Sequence, residues 1–154
     1  MFKFKLQALL DYRKGIEERH LVEFSDKVRR LEAEKGILEE LKGERLVLIG
    51  QLVKMQERRL SATDISLYHS YIHYIKDTQA TQEGVISEAA NEVEDKREEL
   101  LDAVKKRKVI EILKQKKMAE YQADIISRER KELDEVGIFR FIKRAKIEEI
   151  SSSL

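Results

Sequence analysis

The sequence predicts an all-α fold: a long antiparallel two-helix coiled coil with a short helical segment at its distal tip. Three observations carry this reading. The 154 residues include no proline and only six glycines, so turn punctuation is nearly absent. Charged residues make up 40% and almost cancel, while apolar residues make up 42%, too many for a disordered polyampholyte. The apolar residues also recur at three- and four-residue intervals, the period of helices that each bury one seam.

The first helix is expected over about residues 4–60. Phe24, Val28, Leu31, Lys35 and Leu38 follow one regular stretch of seam, and Leu38, Leu41, Arg45, Leu48, Leu52 and Met55 follow another. Their join at Leu38–Leu41 has one three-residue step too many, which reads as a stammer. Leu6, Leu10, Ile16 and Leu21 continue the stripe upstream less regularly. Ser61-Ala62-Thr63-Asp64 then supplies a break that ends in N-cap residue types. A tip segment over about 61–84 carries Ile65, Tyr68, Ile72 and Ile75 and is interrupted at Gly84.

A second long helix follows over about 85–140, with Ala89, Val93, Leu100, Val104, Met118, Tyr121 and Ile125 on its seam. Ile110 and Leu113 sit in a neighbouring phase. Gly137 reads as its stop, before a basic tail at 141–154. Helix one is roughly 85 Å long at 1.5 Å per residue, and residues 85–140 nearly match it. Folding them together, with partner numbers summing to about 144, caps the far end with 61–84 and brings both termini together. The chain is then one coiled-coil domain over 1–154.

Several functions are excluded by composition. Without cysteine there is no disulfide, thiolate nucleophile or thiolate metal site. The start MFKFKLQALLDYRK breaks its apolar run at Lys3, Lys5 and Gln7, so it is no signal peptide, and nothing approaches the ~20 apolar residues of a membrane span. A soluble chain in a reducing compartment is expected. No Ser/His/Asp set, phosphate-binding glycine loop or carboxylate pair stands out, so the chain reads as neither an enzyme nor a cofactor binder.

Five features remain as candidate sites. In EKGILEELKGERLVLIGQL, Gly36, Gly43 and Gly50 recur every seven residues, about 170° from the seam, and Gly15 shares their phase. Leu46, Val47 and Val53 surround Gly50, so this outer face should be covered, either by tip residues 65–80 or by a partner. In HSYIHYIKD, His69, His73 and Asp77 share one helical face, but the glutamate of a zinc-protease motif is missing and no metal is assigned. Tyr68, Tyr71 and Tyr74 cluster with Ile75 at the tip. Tyr68, Ile72 and Ile75 fit the seam, leaving Tyr71 and Tyr74 as interface anchors.

The last two features are basic. Residues 105–117 hold Lys105, Lys106, Arg107, Lys108, Lys114, Lys116 and Lys117 against Glu111. That run makes a nucleic-acid-associated coiled coil the alternative function. However, the cations wrap several faces, Glu98, Glu99 and Asp102 flank them, and no aromatics interleave, so a solvated face is favoured. The two ends, Phe2-Lys3-Phe4-Lys5 and Phe139-Arg140-Phe141-Ile142-Lys143-Arg144, echo each other and would meet in the hairpin. Such an end suits an acidic protein pore or an anionic membrane surface.

FKFKLQALLDYRKGIEERH, the tip YHSYIHYI with its glutamine-rich continuation, and KELDEVGIFRFIKRAK together resemble the FliJ family of flagellar export proteins. The resemblance spans nearly the whole chain, and Tyr68, Tyr71, Tyr74 and Ile75 are its most specific part. It implies a stalk-like coiled coil, similar to the shaft of rotary ATPases, that engages the hexameric flagellar export ATPase and the cytoplasmic part of the export gate. It also implies binding or recycling of export chaperones, and a cytoplasmic protein held at the membrane only through its partners. By position, Tyr68, Tyr71, Tyr74 and Ile75, with Leu46, Gly50 and Val53 nearby, would meet the gate. Phe2, Lys5, Phe139, Arg140, Lys143 and Arg144, on the paired ends, would enter the ATPase ring. The chain departs from the family at Thr78, where a bulkier apolar residue is usual, and in the length of the 61–64 loop.

Overall fold

A computed structural model describes residues 1–58 and 61–151, with side chains described through 148; the expected boundary at residue 60 and the tail beyond 151 lie outside these. The all-α antiparallel fold is as expected: α1 spans Gln7–Gln56 and α2 spans Ala62–Ser151. The chain divides into two compact units, one made of Arg13–Lys105, the other of Met1–Tyr12 with Lys106–Leu154.

The unit Arg13–Lys105 is a helical hairpin. Its turn lies where the small polar cluster predicts it. Ser61 Oγ accepts from the Asp64 backbone N–H at 3.2 Å and donates to Asp64 Oδ2 at 2.7 Å, a reciprocal cap that starts α2. On the α1 side, the Arg58 N–H donates to the Met55 carbonyl at 2.9 Å, closing the last turn.

Within this hairpin the seams are more regular than their apolar residues suggest. On α1, Arg13, Glu17, His20, Phe24, Lys27, Leu31, Glu34, Leu38, Leu41, Arg45, Leu48, Leu52 and Met55 are all shielded, at strictly alternating steps of four and three. The expected stammer is therefore absent: Lys35 is exposed and Glu34 takes its place in the seam. On α2, Ile65, Tyr68, Ile72, Ile75, Gln79, Gln82, Ile86, Ala89, Val93, Lys96, Leu100 and Ala103 are shielded in the same alternation. No break occurs at Gly84, so the tip and the second helix are one element. Gln82, Val85 and Ile86 are held against α1 on either side of it, and that packing outweighs a glycine cost of roughly 1 kcal/mol.

Polar seam residues bond across the hairpin, and these bonds set its register. Lys27 Nζ and Arg30 Nη1 reach Glu92 Oε2 at 2.6 and 3.0 Å. Gln82 Nε2 donates to the Glu34 carbonyl and carboxylate at 3.0 and 2.6 Å. Arg45 Nη1 donates to Gln79 Oε1 at 3.2 Å, while Arg45 Nε and Gln79 Nε2 remain buried without partners. A slip would leave still more of these donors unpaired, which penalises other registers. Partner numbers sum to about 120, not the expected 144, because residues 65–80 pair along α1 instead of capping it.

The charged rungs give a pH signature. The hydrogen bond from Lys27 holds Glu92 below its ordinary 4.5, and the bond from Lys96 does the same for Glu99. Lys96 is raised above its ordinary 10.5, chiefly by its bond to Glu99 and next by that to Glu23. Groups with depressed folded pKa values contribute stability that is present above their unfolded pKa and lost as pH falls through the folded one; a raised group loses its contribution as pH rises through its folded value. Circular-dichroism melts should give a midpoint flat between these ranges and falling on both sides. Glu92→Gln/Glu99→Gln should flatten the acid side, and an unchanged acid slope would count against these rungs.

In the unit Met1–Tyr12 with Lys106–Leu154, Leu10 is buried against α2 and Lys114 Nζ donates to Gln7 Oε1 at 2.7 Å. The Phe2 ring sits 5.6 Å from that of Tyr121 at 47°. Past Tyr121 every described side chain of α2 through Glu148 is exposed, including Leu133, Phe139 and Phe141. The helix continues through Gly137 as well, so the expected stop there is absent. The ends do not meet. Phe2 pairs with Tyr121, and Phe139 lies eighteen residues further along α2, about 27 Å at 1.5 Å per residue. The register explains this: the turn comes early in the chain, so α1 is used up at Tyr121.

Candidate functional site

The hairpin Arg13–Lys105 carries one exposed aromatic surface. Tyr71 and Tyr74 stand on the outer side of α2 with ring centroids 6.2 Å apart and planes within 13°, an offset-stacked pair. Tyr71 Oη donates to Glu44 Oε1 of α1 at 2.8 Å, which pins the pair and raises the phenol pKa, first through that hydrogen bond and then through the carboxylate charge. Thr78, one turn on, donates its hydroxyl to the Tyr74 carbonyl at 2.9 Å. A shallow concavity of 410 Å³ opens beside the pair, lined by Leu48, Leu67, Tyr68 and Tyr71. Leu67 is 70% exposed and widens the apolar area.

Other tip expectations sort by phase. Tyr68 is half-buried in the seam. Ile75 is 1% exposed and packs α2 on α1, so it supports the surface from beneath and offers nothing to a partner. The glycine face of α1 is uncovered. A Cβ built at Gly36, Gly43 or Gly50 would meet nothing within 4 Å, and Leu46, Val47 and Val53 stay exposed. Residues 65–80 do not fold over it, because Tyr68, Ile72 and Ile75 already engage the opposite side of α1.

In the other unit, Phe139, Arg140 and Lys143 line an exposed basic aromatic groove of 430 Å³ with Val136, Ile142 and Lys146, and Arg144 is exposed outside its lining. Phe2 and Lys5 line a separate concavity with Phe4, Leu6, Leu113 and Lys117. The six residues assigned to one paired end thus fall into two patches.

The matches to known proteins fit this architecture. The family model for the flagellar FliJ protein matches residues 2–146, nearly the whole chain. This chain belongs to the FliJ family. Among solved structures it resembles a putative YscO homolog from Chlamydia trachomatis, with 24% identity over 89% of this chain and 93% of that one, and a TM-score of 0.56. At that identity the likeness shows the fold. No curated protein sequence matches. As a FliJ-family member the chain is a type III export-associated protein, and the family is a non-catalytic export component. No helix among the described residues is long and apolar enough to cross a membrane.

The remaining polar clusters of this FliJ chain have structural explanations. His69, His73 and Asp77 do not converge as metal ligands; among the described residues the group that does is His20, Glu23 and Glu99. Sequence spacing could not reveal it, since Glu99 comes from the other helix. Lys96 Nζ lies 3.1 Å from Glu23 and 2.8 Å from Glu99, so an ammonium already bridges both carboxylates. In the basic run, Arg107 is ion-paired with Glu111, Lys114 holds Gln7, Lys117 reaches Glu120 at 2.7 Å, and Lys106 is also engaged. Those cations are committed within the protein, which weakens the nucleic-acid alternative.

Proposed function

We propose that this FliJ-family protein is a non-enzymatic coupling protein of the flagellar type III export apparatus. It engages the export ATPase ring through the basic aromatic surface around Phe139 and Arg140. It meets the cytoplasmic domain of the export gate through Tyr71 and Tyr74, with Leu46, Gly50 and Val53 on the neighbouring α1 face. It also assists the recycling of export chaperones, and it is cytoplasmic, associated with the membrane only through these partners. The observation that carries the reading is that each compact unit exposes its own aromatic surface, on side chains spared from the core. Phe139 is 75% exposed and Tyr74 is 64% exposed, and large exposed aromatics of this kind anchor protein interfaces.

The basic surface suits an acidic pore, where complementary charge accelerates and orients docking. Adding the purified protein to its cognate export ATPase should raise ATP hydrolysis. Arg140→Glu/Arg144→Glu should remove that gain by about tenfold or more while leaving helicity intact, because both side chains are exposed. Full stimulation by this variant would overturn the assignment of the ring contact.

A further inference from the structure

We propose that the uncovered stretch of α2 pairs antiparallel with the same stretch of a second copy of this chain, centred on Phe139. This goes beyond the coupling role and does not rest on it; pairing occupies the same Phe139 surface, so a paired copy is not one docked in the ring. Phe139 lies eighteen residues past Tyr121, which is five full turns of a straight helix, so the two share one face. Phe2 covers that face at Tyr121; from residue 122 to 148 every described side chain on it is exposed. By the same 100° step, Glu132, Glu135, Val136, Phe139, Ile142, Lys143 and Lys146 lie along it.

Charge decides the occupant and its direction. Residues 129–135 carry Glu129, Glu132, Asp134 and Glu135 against Arg130 and Lys131. Residues 139–146 carry Arg140, Lys143, Arg144 and Lys146 and no acid. A parallel pair would stack the four cations on themselves. An antiparallel pair about Phe139 sets Glu132 and Glu135 of each copy opposite Lys146 and Lys143 of the other. Phe139, Val136 and Ile142 then fill both grooves. None of these four charged residues has an ion-pair partner among the described residues. A two-fold axis at Phe139 repeats every contact, so two complementary rungs become four. An overlap of about 20 residues at 1.5 Å each ends near Glu129, short of Tyr121, so Phe2 keeps its seat.

Sedimentation velocity of the full chain over a concentration series should show a reversible monomer–dimer equilibrium. Glu132→Lys/Glu135→Lys and Lys143→Glu/Lys146→Glu should each weaken it by about tenfold or more, since four exposed ion pairs become repulsions. Mixing the two variants should restore wild-type affinity. Because the chain has no cysteine, Phe139→Cys should cross-link copies rapidly on oxidation, whereas Thr63→Cys should not. A chain that stays monomeric at every concentration would refute the pairing. So would charge variants that associate as tightly as the wild type, which is the parallel outcome, or equal cross-linking at residues 63 and 139.

Discussion

Ile75→Asp is expected to unfold the hairpin Arg13–Lys105. Ile75 is 1% exposed, in a seam whose neighbouring layer is the incompletely satisfied Arg45–Gln79 pair. Removing the isoleucine alone costs about 2–5 kcal/mol in lost transfer and cavity. A carboxylate placed there is stripped of water inside the seam, and the Arg45 guanidinium, already bonded to Gln79 through Nη1, offsets only part of that desolvation cost. A combined loss above about 4 kcal/mol is most of what a small domain holds in reserve. Urea unfolding followed by circular dichroism measures it. Tyr74→Asp, one residue away on the exposed side, should shift stability by no more than about 0.5 kcal/mol. Similar losses for both would mean that burial at Ile75 is not what holds the helices together.

The second large effect concerns partners. Tyr71→Ala/Tyr74→Ala should reduce binding to the cytoplasmic domain of the export gate by about tenfold or more, because paired aromatic anchors dominate an interface of this type. Stimulation of the ATPase should survive this change. Arg140→Glu/Arg144→Glu should give the reverse, losing stimulation and keeping the gate. Tyr71→Phe separates the ring from its hydroxyl: it keeps the stack and drops the bond to Glu44, so it should bind nearly as well as wild type. Pull-downs with both partners beside all three variants give the answer. If the tyrosine and arginine variants lost the same partner, the assignment of separate partners to the two surfaces would fail.

Both surfaces were partly legible from residue patterns. Tyr71 and Tyr74 fall outside the three-four alternation that Tyr68, Ile72 and Ile75 satisfy, and their exposure follows directly. The open glycine face had two possible covers, and the packing of 65–80 against the opposite side of α1 removes the first of them, the tip. Grouping Ile75 with the tyrosines joined residues close in sequence but on different sides of the helix. Joining Phe2 and Lys5 to Phe139–Arg144 assumed helices of equal length, whereas α1 spans 50 residues and α2 spans 90. The polar cluster of His20, Glu23, Lys96 and Glu99 left no local signal because it forms only when two distant helical turns meet.

By itself, then, the sequence determined the helical class, the position of the turn at Ser61 and the family. The absence of proline, the periodicity and the capping residues act within a few positions of one another, so local physics suffices for these. Register was decided only by the tertiary structure. Lys27, Glu34, Arg45, Gln79, Gln82 and Lys96 occupy seam positions that an apolar pattern skips, and each is tolerable there only opposite a particular partner. Which pairs meet is a property of two helices together, and the register they select leaves every described side chain of α2 beyond Tyr121 exposed.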